Sequence, residues 1–217
     1  RIRLFTVPAK SGLPKLLRWR DEYLQNGFPA CRLVLGESLL GTVSLDLNLI
    51  PHVLLGGGTG SGKSVLLKLM LMQCLKQPNI NVTIADFKGG VDFGGSWRKH
   101  PNCKLILDRE TLIAYLDSVA EKLEQRKDLL GKAECTNIYA YNSRESIPMD
   151  RIVFAVDEVA EILDKTGLTK AEKEQVARIE NRLSTIARQG RAFGIHLLLS
   201  TQRPDADILS GQIRNNI

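Results

Sequence analysis

The sequence has 217 residues, which is enough for one α/β domain with a substantial hydrophobic core. Hydrophobic residues make up 43% and charged residues 25%, a composition that argues against a disordered chain. The net charge of +6 favours a polyanionic partner, but basic soluble enzymes are common and a total does not show clustering.

The sequence also limits redox chemistry and membrane contact. Its four cysteines are widely spaced without a C-x-x-C pair, so we expect reduced intracellular thiols and no metal site. It has no apolar run of about eighteen residues, and no signal peptide is recognisable. The chain begins at Arg1 without a methionine and stops at Ile217 shortly after a motif, so we interpret it as part of a longer protein.

The first 47 residues are predicted to hold an N-terminal helix and a short β-segment. Apolar residues at roughly helical spacing predict a helix over 13–26. Two short strand-like runs follow at 31–36 and 41–47. A regular α/β pattern then begins, so we place the boundary of the main domain at 48–217.

Apolar runs alternate with helical stretches throughout this main domain. The alternation predicts a mostly parallel sheet with helices on both faces. Residues 131–150 are expected to mix a short helix with loop. The predicted strands are 52–55, 82–85, 105–107, 152–156 and 195–199, and the predicted helices are 64–76, 110–130 and 170–189.

The glycine loop GGTGSGKS, residues 57–64, lies between a predicted strand and a predicted helix. That is the context required of G-x-x-x-x-G-K-[ST], although a chance glycine-rich turn is the alternative. Glycines let the backbone wrap around phosphates, which N–H groups at the helix start then bind. Lys63 is expected to reach the β- and γ-phosphates of ATP, and Ser64 to hold Mg²⁺. The predicted ATP-binding residues are Gly57, Gly58, Thr59, Gly60, Ser61, Gly62, Lys63, Ser64 and Val65.

Two adjacent carboxylates, Asp157 and Glu158, follow the apolar run 152–156. Ligands lie at strand ends in open α/β sheets, so we expect both in the same site. Asp157 is expected to hold Mg²⁺ through water. Glu158 is expected to polarise the water that attacks the γ-phosphate. The alternative is an acidic strand-to-helix junction in which Asp157 caps a helix.

The run HLLLSTQRP, residues 196–204, ends a predicted strand in polar residues. Thr201 and Gln202 are expected beside the strand of Asp157, where Gln202 would sense the γ-phosphate and couple hydrolysis to movement. A polar strand end without a role is the alternative. His196 is interpreted as a packed core histidine rather than a catalytic group.

Two other enzyme classes, GTPases and small-molecule kinases, fit the sequence less well than an ATPase. Residues 86–89 match the D-x-x-G pattern of GTPases, but the sequence has no N-K-x-D or T-K-x-D for guanine recognition. We therefore interpret this match as coincidence. A small-molecule kinase is disfavoured because Glu158 beside Asp157 suits the activation of water better than a bound acceptor.

These motifs resemble the FtsK/SpoIIIE family of hexameric DNA translocase ATPases, including its conjugative-element and type VII secretion relatives. The similarity runs from LVLGESLLGTVSLDLNLIPHVLLGGGTGSGKSV (33–65) to GRAFGIHLLLSTQRPDADILSGQIRNNI (190–217), with EKLEQRKDLL and NIYAYN between them (121–142). GIHLLLSTQRPDADIL is more specific than any glycine-loop match. One departure is DFKGG (86–90), where chromosome translocases typically carry D-P-K, and this looks more like secretion and mobile-element members.

The resemblance implies a RecA-like P-loop ATPase core over 48–217 that lacks the family's last sheet strands. It implies Lys63, Glu158 and Gln202 as catalytic residues, with Ser64 and Asp157 at Mg²⁺. It further implies a homo-oligomer, a hexameric ring in the full-length protein, that moves double-stranded DNA. The expected location is cytoplasmic at the inner face of the membrane, with membrane contact only through segments outside this chain.

Family motors also place an arginine from the neighbouring subunit at the γ-phosphate. Arg188 and Arg191 are the candidates for this role, and the alternative is a pair of cations favoured by a helix end.

The transported polymer is left open between DNA and, for a type VII secretion ATPase, protein. A basic cluster, Arg98, Lys99, His100 and Lys104, lies between the second and third predicted strands of the core. Phosphate neutralisation by such residues favours DNA. A solvated loop without a DNA contact remains the alternative.

Overall fold

The protein is described by a computed structural model over residues 18–24, 31–202 and 209–217. Within those ranges two 3₁₀ turns occur, at Asp21–Leu24 and Gly190–Phe193. The strands are β1 (Arg32–Ser38), β2 (Gly41–Asp46), β3 (His52–Gly56), β4 (Ile80–Ala85), β5 (Cys103–Ile106), β6 (Arg151–Val156) and β7 (Ile195–Thr201). The helices are α1 (Lys63–Lys76), α2 (Ser96–Lys99), α3 (Arg109–Lys132), α4 (Ile138–Asn142), α5 (Val159–Leu163), α6 (Lys170–Gln189) and α7 (Gly211–Arg214).

The predicted strands and long helices of the main domain are confirmed, with boundaries that differ by no more than two residues. Residues 131–150 hold α4 and loops, as expected. The predicted helix over 13–26 is wrong in its described part, where only Asp21–Leu24 forms a single 3₁₀ turn. Asp21 accepts a hydrogen bond from Trp19 Nε1 and pairs with Lys76, and these contacts tie the turn to the end of α1. The rest of that prediction lies outside the described residues.

The main sheet is parallel and has the strand order β3-β7-β6-β4-β5. Because side chains alternate along a strand, β6 faces both layers of the core. Phe154 packs in the layer formed with α3, α5 and α6. Val153 and Ala155 pack in the opposite layer, with α1 and the β1–β2 hairpin. The predicted sheet covered by helices on both faces is therefore confirmed.

Two glutamines join the hairpin to α1. The Val34 N–H donates to Gln73 Oε1 at 2.7 Å, and Gln73 Nε2 donates to the Val34 carbonyl at 2.8 Å. One turn further along, the Cys31 N–H donates to Gln77 Oε1 at 2.6 Å. The side-chain amides thus satisfy backbone groups of β1 in the way that a neighbouring strand would.

A buried polar network lies at the amino-terminal ends of the strands. His196 Nδ1 lies 3.1 Å from the Pro51 carbonyl, which only accepts, so the neutral ring carries its proton there. His196 Nε2 is then the acceptor for Arg151 Nη1 at 3.3 Å, and Arg151 Nη2 donates to Asn48 at 2.7 Å. Burial, reinforced by the charge of Arg151, lowers the pKa of His196 to about 3. The interpretation of His196 as a core residue agrees with this environment.

The four cysteines are free thiols. No helix in the described part of the chain is both long and apolar enough to cross a membrane. The described residues also contain no group of three or more His, Cys, Asp or Glu side chains arranged to hold a metal ion.

Candidate nucleotide-binding site

The predicted site residues converge at the carboxyl-terminal edge of the sheet. β3 leads into the glycine loop, Gln202 directly follows β7, and Asp157 directly follows β6. Asp86 directly follows β4, the next strand. The expected position of Thr201 and Gln202 beside the strand of Asp157 is confirmed by the parallel pairing of β6 with β7.

The glycine loop has a backbone that residues with a Cβ rarely adopt. Gly60 and Gly62 have φ angles of 79° and 88°, in the left-handed region that favours glycine. A Cβ on Gly57 would lie 2.6 Å from Ser61 Oγ, so only glycine fits there without a shift. The loop runs directly into α1, whose first turn offers N–H groups that the helix does not use. This arrangement suits a chain of phosphates.

Ser64 and Asp157 are brought together below this loop. The Ser64 hydroxyl donates to Asp157 Oδ1 at 3.1 Å, and Asp157 is only 2% exposed. Oxygen ligands of this type suit Mg²⁺, which usually takes one or two protein oxygens and completes its shell with water and phosphate. The two side chains therefore fit a metal ion that arrives with a nucleotide.

Glu158 is fixed by contacts from two directions. The Gln202 N–H donates to both of its carboxylate oxygens, at 3.0 and 3.2 Å. Lys63 Nζ lies 3.9 Å from Glu158 Oε2, and both side chains are less than a tenth exposed. Glu158, and not Asp157, is the N-cap of α5, so the alternative of an Asp157 cap is wrong. Asp157 instead turns to Ser64, which leaves the adjacent residue to cap the helix.

Gln202 links two parts of the site. Thr59 Oγ1 donates to Gln202 Oε1 at 3.1 Å, and the Gly57 N–H donates to the Thr201 carbonyl at 3.3 Å. The end of β7 therefore contacts the glycine loop through a side chain and through the backbone. A residue in this position responds to any movement of the loop.

Lys88 belongs to the site, although the sequence patterns did not predict it. Its Nζ lies 3.2 Å from Asp157 Oδ2 and 3.9 Å from Glu161 Oε1. Burial alone would lower the pKa of Lys88, but the attraction of Asp157 and the other carboxylates raises it above its ordinary value. Burial raises the pKa of Glu161, against the opposing charge of Lys88. The available signal was the D-x-x-G segment, which follows a strand that ends at the same edge.

Asp86 begins this segment and is 1% exposed. Its Oδ1 accepts from the Lys88 N–H at 3.0 Å. Its Oδ2 is buried, and no hydrogen-bond partner for it exists in the described part of the chain. Asp86 therefore places a further buried carboxyl group beside Lys88 at this edge.

The remaining candidates lie outside this group of residues. Arg188 lies in the last turn of α6, and Arg191 donates through Nε to the Asn48 carbonyl at 3.2 Å, near the amino-terminal ends of the strands. In the basic cluster, Arg98 and Lys99 are exposed on α2, and Lys104 is exposed on the edge strand β5. His100, the remaining member, is half-buried. Arg188 and Arg191 are thus distant from the nucleotide residues, whereas the Arg98 guanidinium lies against Gly90, two residues after Lys88.

Comparison with known proteins gives matches over most of the chain. The sequence model of the FtsK/SpoIIIE family matches residues 18–206. DNA translocase FtsK of Helicobacter pylori strain J99 is 31% identical over 91% of this chain and 23% of its own length. That of Chlorobaculum tepidum is 30% identical over 97% of this chain and 27% of its own length. The chain therefore spans about a quarter of the curated relatives that it matches.

Solved structures match as well. The conjugation coupling protein TcpA of pCW3, solved in a monomer form with ATPγS, has a TM-score of 0.88 at 38% identity, covering 95% of this chain and 57% of that one. The cytoplasmic domain of the type VII secretion ATPase EccC from Thermomonospora curvata has a TM-score of 0.69 at 24% identity, covering 92% of this chain and 25% of that one. The second match shows the fold alone. Together they confirm the predicted RecA-like P-loop core.

Proposed function

The chain belongs to the FtsK/SpoIIIE family, and we propose that it is the ATP-hydrolysing motor domain of a DNA translocase. A conjugative coupling protein is the favoured type, because the coupling protein TcpA is 38% identical. The observation that carries the proposal is the convergence of the glycine loop, Asp157, Glu158 and Gln202 at one sheet edge. We further propose that the full-length protein forms a hexameric ring at the cytoplasmic face of the membrane.

In the proposed reaction, Lys63 binds the terminal phosphates while Ser64 and Asp157 hold Mg²⁺, which neutralises phosphate charge. Glu158, held by the Gln202 N–H, orients a water molecule and accepts its proton. The Gln202 side chain, bonded to Thr59, responds to the presence of the γ-phosphate. This coupling gives β7 a mechanical link to the state of the nucleotide.

Lys63→Ala is expected to weaken binding of Mg·ATPγS by about 10- to 100-fold, the range for losing one or two charge-assisted hydrogen bonds. Isothermal titration calorimetry measures this loss directly. Lys76→Ala is the matched control, because Lys76 is the last residue of the same helix and pairs with Asp21 outside the site. If the wild type and Lys63→Ala bind Mg·ATPγS with equal affinity, the glycine loop has only a structural role.

DNA is the proposed polymer, so long double-stranded DNA is expected to stimulate the ATPase of the full-length protein. The stimulation is expected to weaken with salt and to depend little on base sequence, since channel contacts go to phosphates. A triple variant in which alanine replaces Arg98, Lys99 and Lys104 is expected to show less stimulation by DNA. Each lost phosphate contact also reduces the slope of log affinity against log salt by about 0.9. The DNA-free rate is expected to stay unchanged.

The control for charge alone is a triple alanine variant of Lys122, Lys132 and Lys173, which are exposed on α3 and α6. It removes the same charge but is expected to keep the salt slope. The alternative function is a type VII secretion ATPase that exports protein, favoured by the DFKGG segment and the fold shared with EccC. Stimulation by a secretion-substrate peptide, with none by DNA at any salt concentration, would make that alternative the better assignment.

A further inference from the structure

Asp157 has a different partner on each of its two oxygens. Oδ1 accepts from the Ser64 hydroxyl at 3.1 Å, and Oδ2 lies 3.2 Å from Lys88 Nζ. Asp157 is almost completely buried, whereas about a third of the Lys88 side chain is exposed. The carboxylate proposed for Mg²⁺ is therefore already neutralised by a cation that has room to leave.

The site as a whole carries an excess of negative charge. The four carboxyl groups of Asp86, Asp157, Glu158 and Glu161 outnumber the two ammonium groups of Lys63 and Lys88 that pair with them. Without Lys88 this excess would rise, and a triphosphate would meet stronger repulsion.

We propose that Lys88 is a counter-ion that neutralises Asp157 until Mg²⁺ enters with the nucleotide, and that Lys88 and its loop then move. The inference rests on the proposed nucleotide-binding function. Two cations at one buried carboxylate repel each other, so Lys88 releases Asp157 when the metal is bound. The segment that moves lies within the Lys88 loop, residues 86–95, between the buried side chains of Asp86 and Phe93.

The backbone of the Lys88 loop changes direction at two glycines. Gly89 and Gly90, directly after Lys88, have φ angles of 82° and 71°. Phe93 is fully buried and packs edge-to-face on Trp97, with the ring centroids 5.4 Å apart. Movement at Lys88 is thereby carried to α2 through an aromatic contact.

The loop also contacts the basic cluster. A Cβ on Gly90 would lie 2.6 Å from Arg98 Nη2, so the guanidinium lies directly against the loop backbone. Arg98 is one of the residues proposed to contact DNA. The Lys88 loop therefore contacts the nucleotide site through Lys88 and the proposed DNA-binding surface through Arg98.

The test uses the dissociation constant for ATPγS measured in EDTA, divided by the dissociation constant measured with excess Mg²⁺. In Lys88→Met, Asp157 loses its counter-ion, so metal-free binding is expected to weaken by about tenfold, the order expected for one ion pair with a buried partner. Binding with Mg²⁺ is expected to change by less than about twofold, because the metal replaces the lost charge. The ratio therefore rises about tenfold.

Lys88→Arg keeps the charge and is expected to keep the wild-type ratio, which controls for a loss of fold. Lys132→Met removes an exposed lysine from α3, outside both proposed sites, and is expected to leave the ratio unchanged. An unchanged ratio in Lys88→Met would overturn the proposal, as would equal weakening in both conditions. A wild type that binds no ATPγS would instead refute the proposed function itself.

Trp97 reports on the movement independently. The sequence has two tryptophans, so Trp19→Phe leaves Trp97 as the single emitter. Its emission is expected to shift when Mg·ATPγS binds, and the shift is expected to disappear in the Trp19→Phe, Lys88→Met double variant. Emission that is unchanged on binding, or unaffected by Lys88→Met, would overturn movement of the loop.

Discussion

Glu158→Gln is expected to slow ATP turnover by about 10²- to 10⁴-fold, the usual contribution of a positioned general base. Nucleotide binding is expected to persist. Glutamine has the same shape, and its amide oxygen still accepts from the Gln202 N–H that bonds the carboxylate at 3.0 Å. An amide, however, cannot take a proton from water. Phosphate release and ATPγS affinity, measured on the full-length protein, separate the two effects.

Glu174→Gln is the matched control, because Glu174 is exposed on α6 and makes no contact with the nucleotide residues. It makes the same chemical change and is expected to keep the wild-type rate. Turnover at the wild-type rate in Glu158→Gln would remove Glu158 from the mechanism. A loss of ATPγS binding in that variant would assign Glu158 to the binding site instead.

Replacing both Arg188 and Arg191 with alanine is expected to lower the ATPase rate of the assembled ring by about 10³- to 10⁵-fold, the range for an arginine supplied in trans. Neither residue can reach the phosphates bound by its own subunit. Gly194 precedes β7 and Gln202 follows it, and a strand of this length spans roughly 20 Å. With Asn137 and Tyr139, the two arginines line a pocket of about 460 Å³.

Mixing two inactive variants tests the trans assignment. A ring with some Glu158→Gln subunits and some double-arginine variants contains interfaces where an intact arginine meets an intact Glu158. Those interfaces are expected to restore part of the activity, although each variant alone is inactive. Failure to restore any activity in verified mixed rings would contradict the assignment, and so would full activity of a monomer. Arg178→Ala, which changes an arginine paired with Asp117, serves as the control.

The sequence alone predicts the glycine loop, Asp157 and Glu158 because each motif follows its own strand directly. Parallel strands end at one edge, so strand-end motifs converge without knowledge of the full topology. Lys88 escaped prediction because its contact depends on β4 lying next to β6, and strand order is not written in any local pattern. Its segment matches the D-x-x-G pattern of GTPases. Because a GTPase function was rejected, Lys88 was not predicted as a site residue.

Two further features depend on contacts that periodicity does not encode. Gln73 interrupts the apolar face of α1, and its partner Val34 lies 39 residues earlier in the chain. Asp157 contacts Ser64, which is 93 residues earlier in the chain, while Glu158 caps α5. Long-range polar contacts of this kind form only in the folded chain.

The two glutamines that bind β1 also make α1 a lever. Lys63 stands at its first residue and Gln73 near its last turn, and a helix of 14 residues is about 21 Å long. A helix resists bending much more than loops do, so tilting one end displaces the other. A tilt of α1 at its glycine-loop end would therefore displace the β1–β2 hairpin as a rigid unit, without any change in the hairpin's internal hydrogen bonds. The hairpin tip, where Leu39 and Leu40 are exposed, would travel farthest.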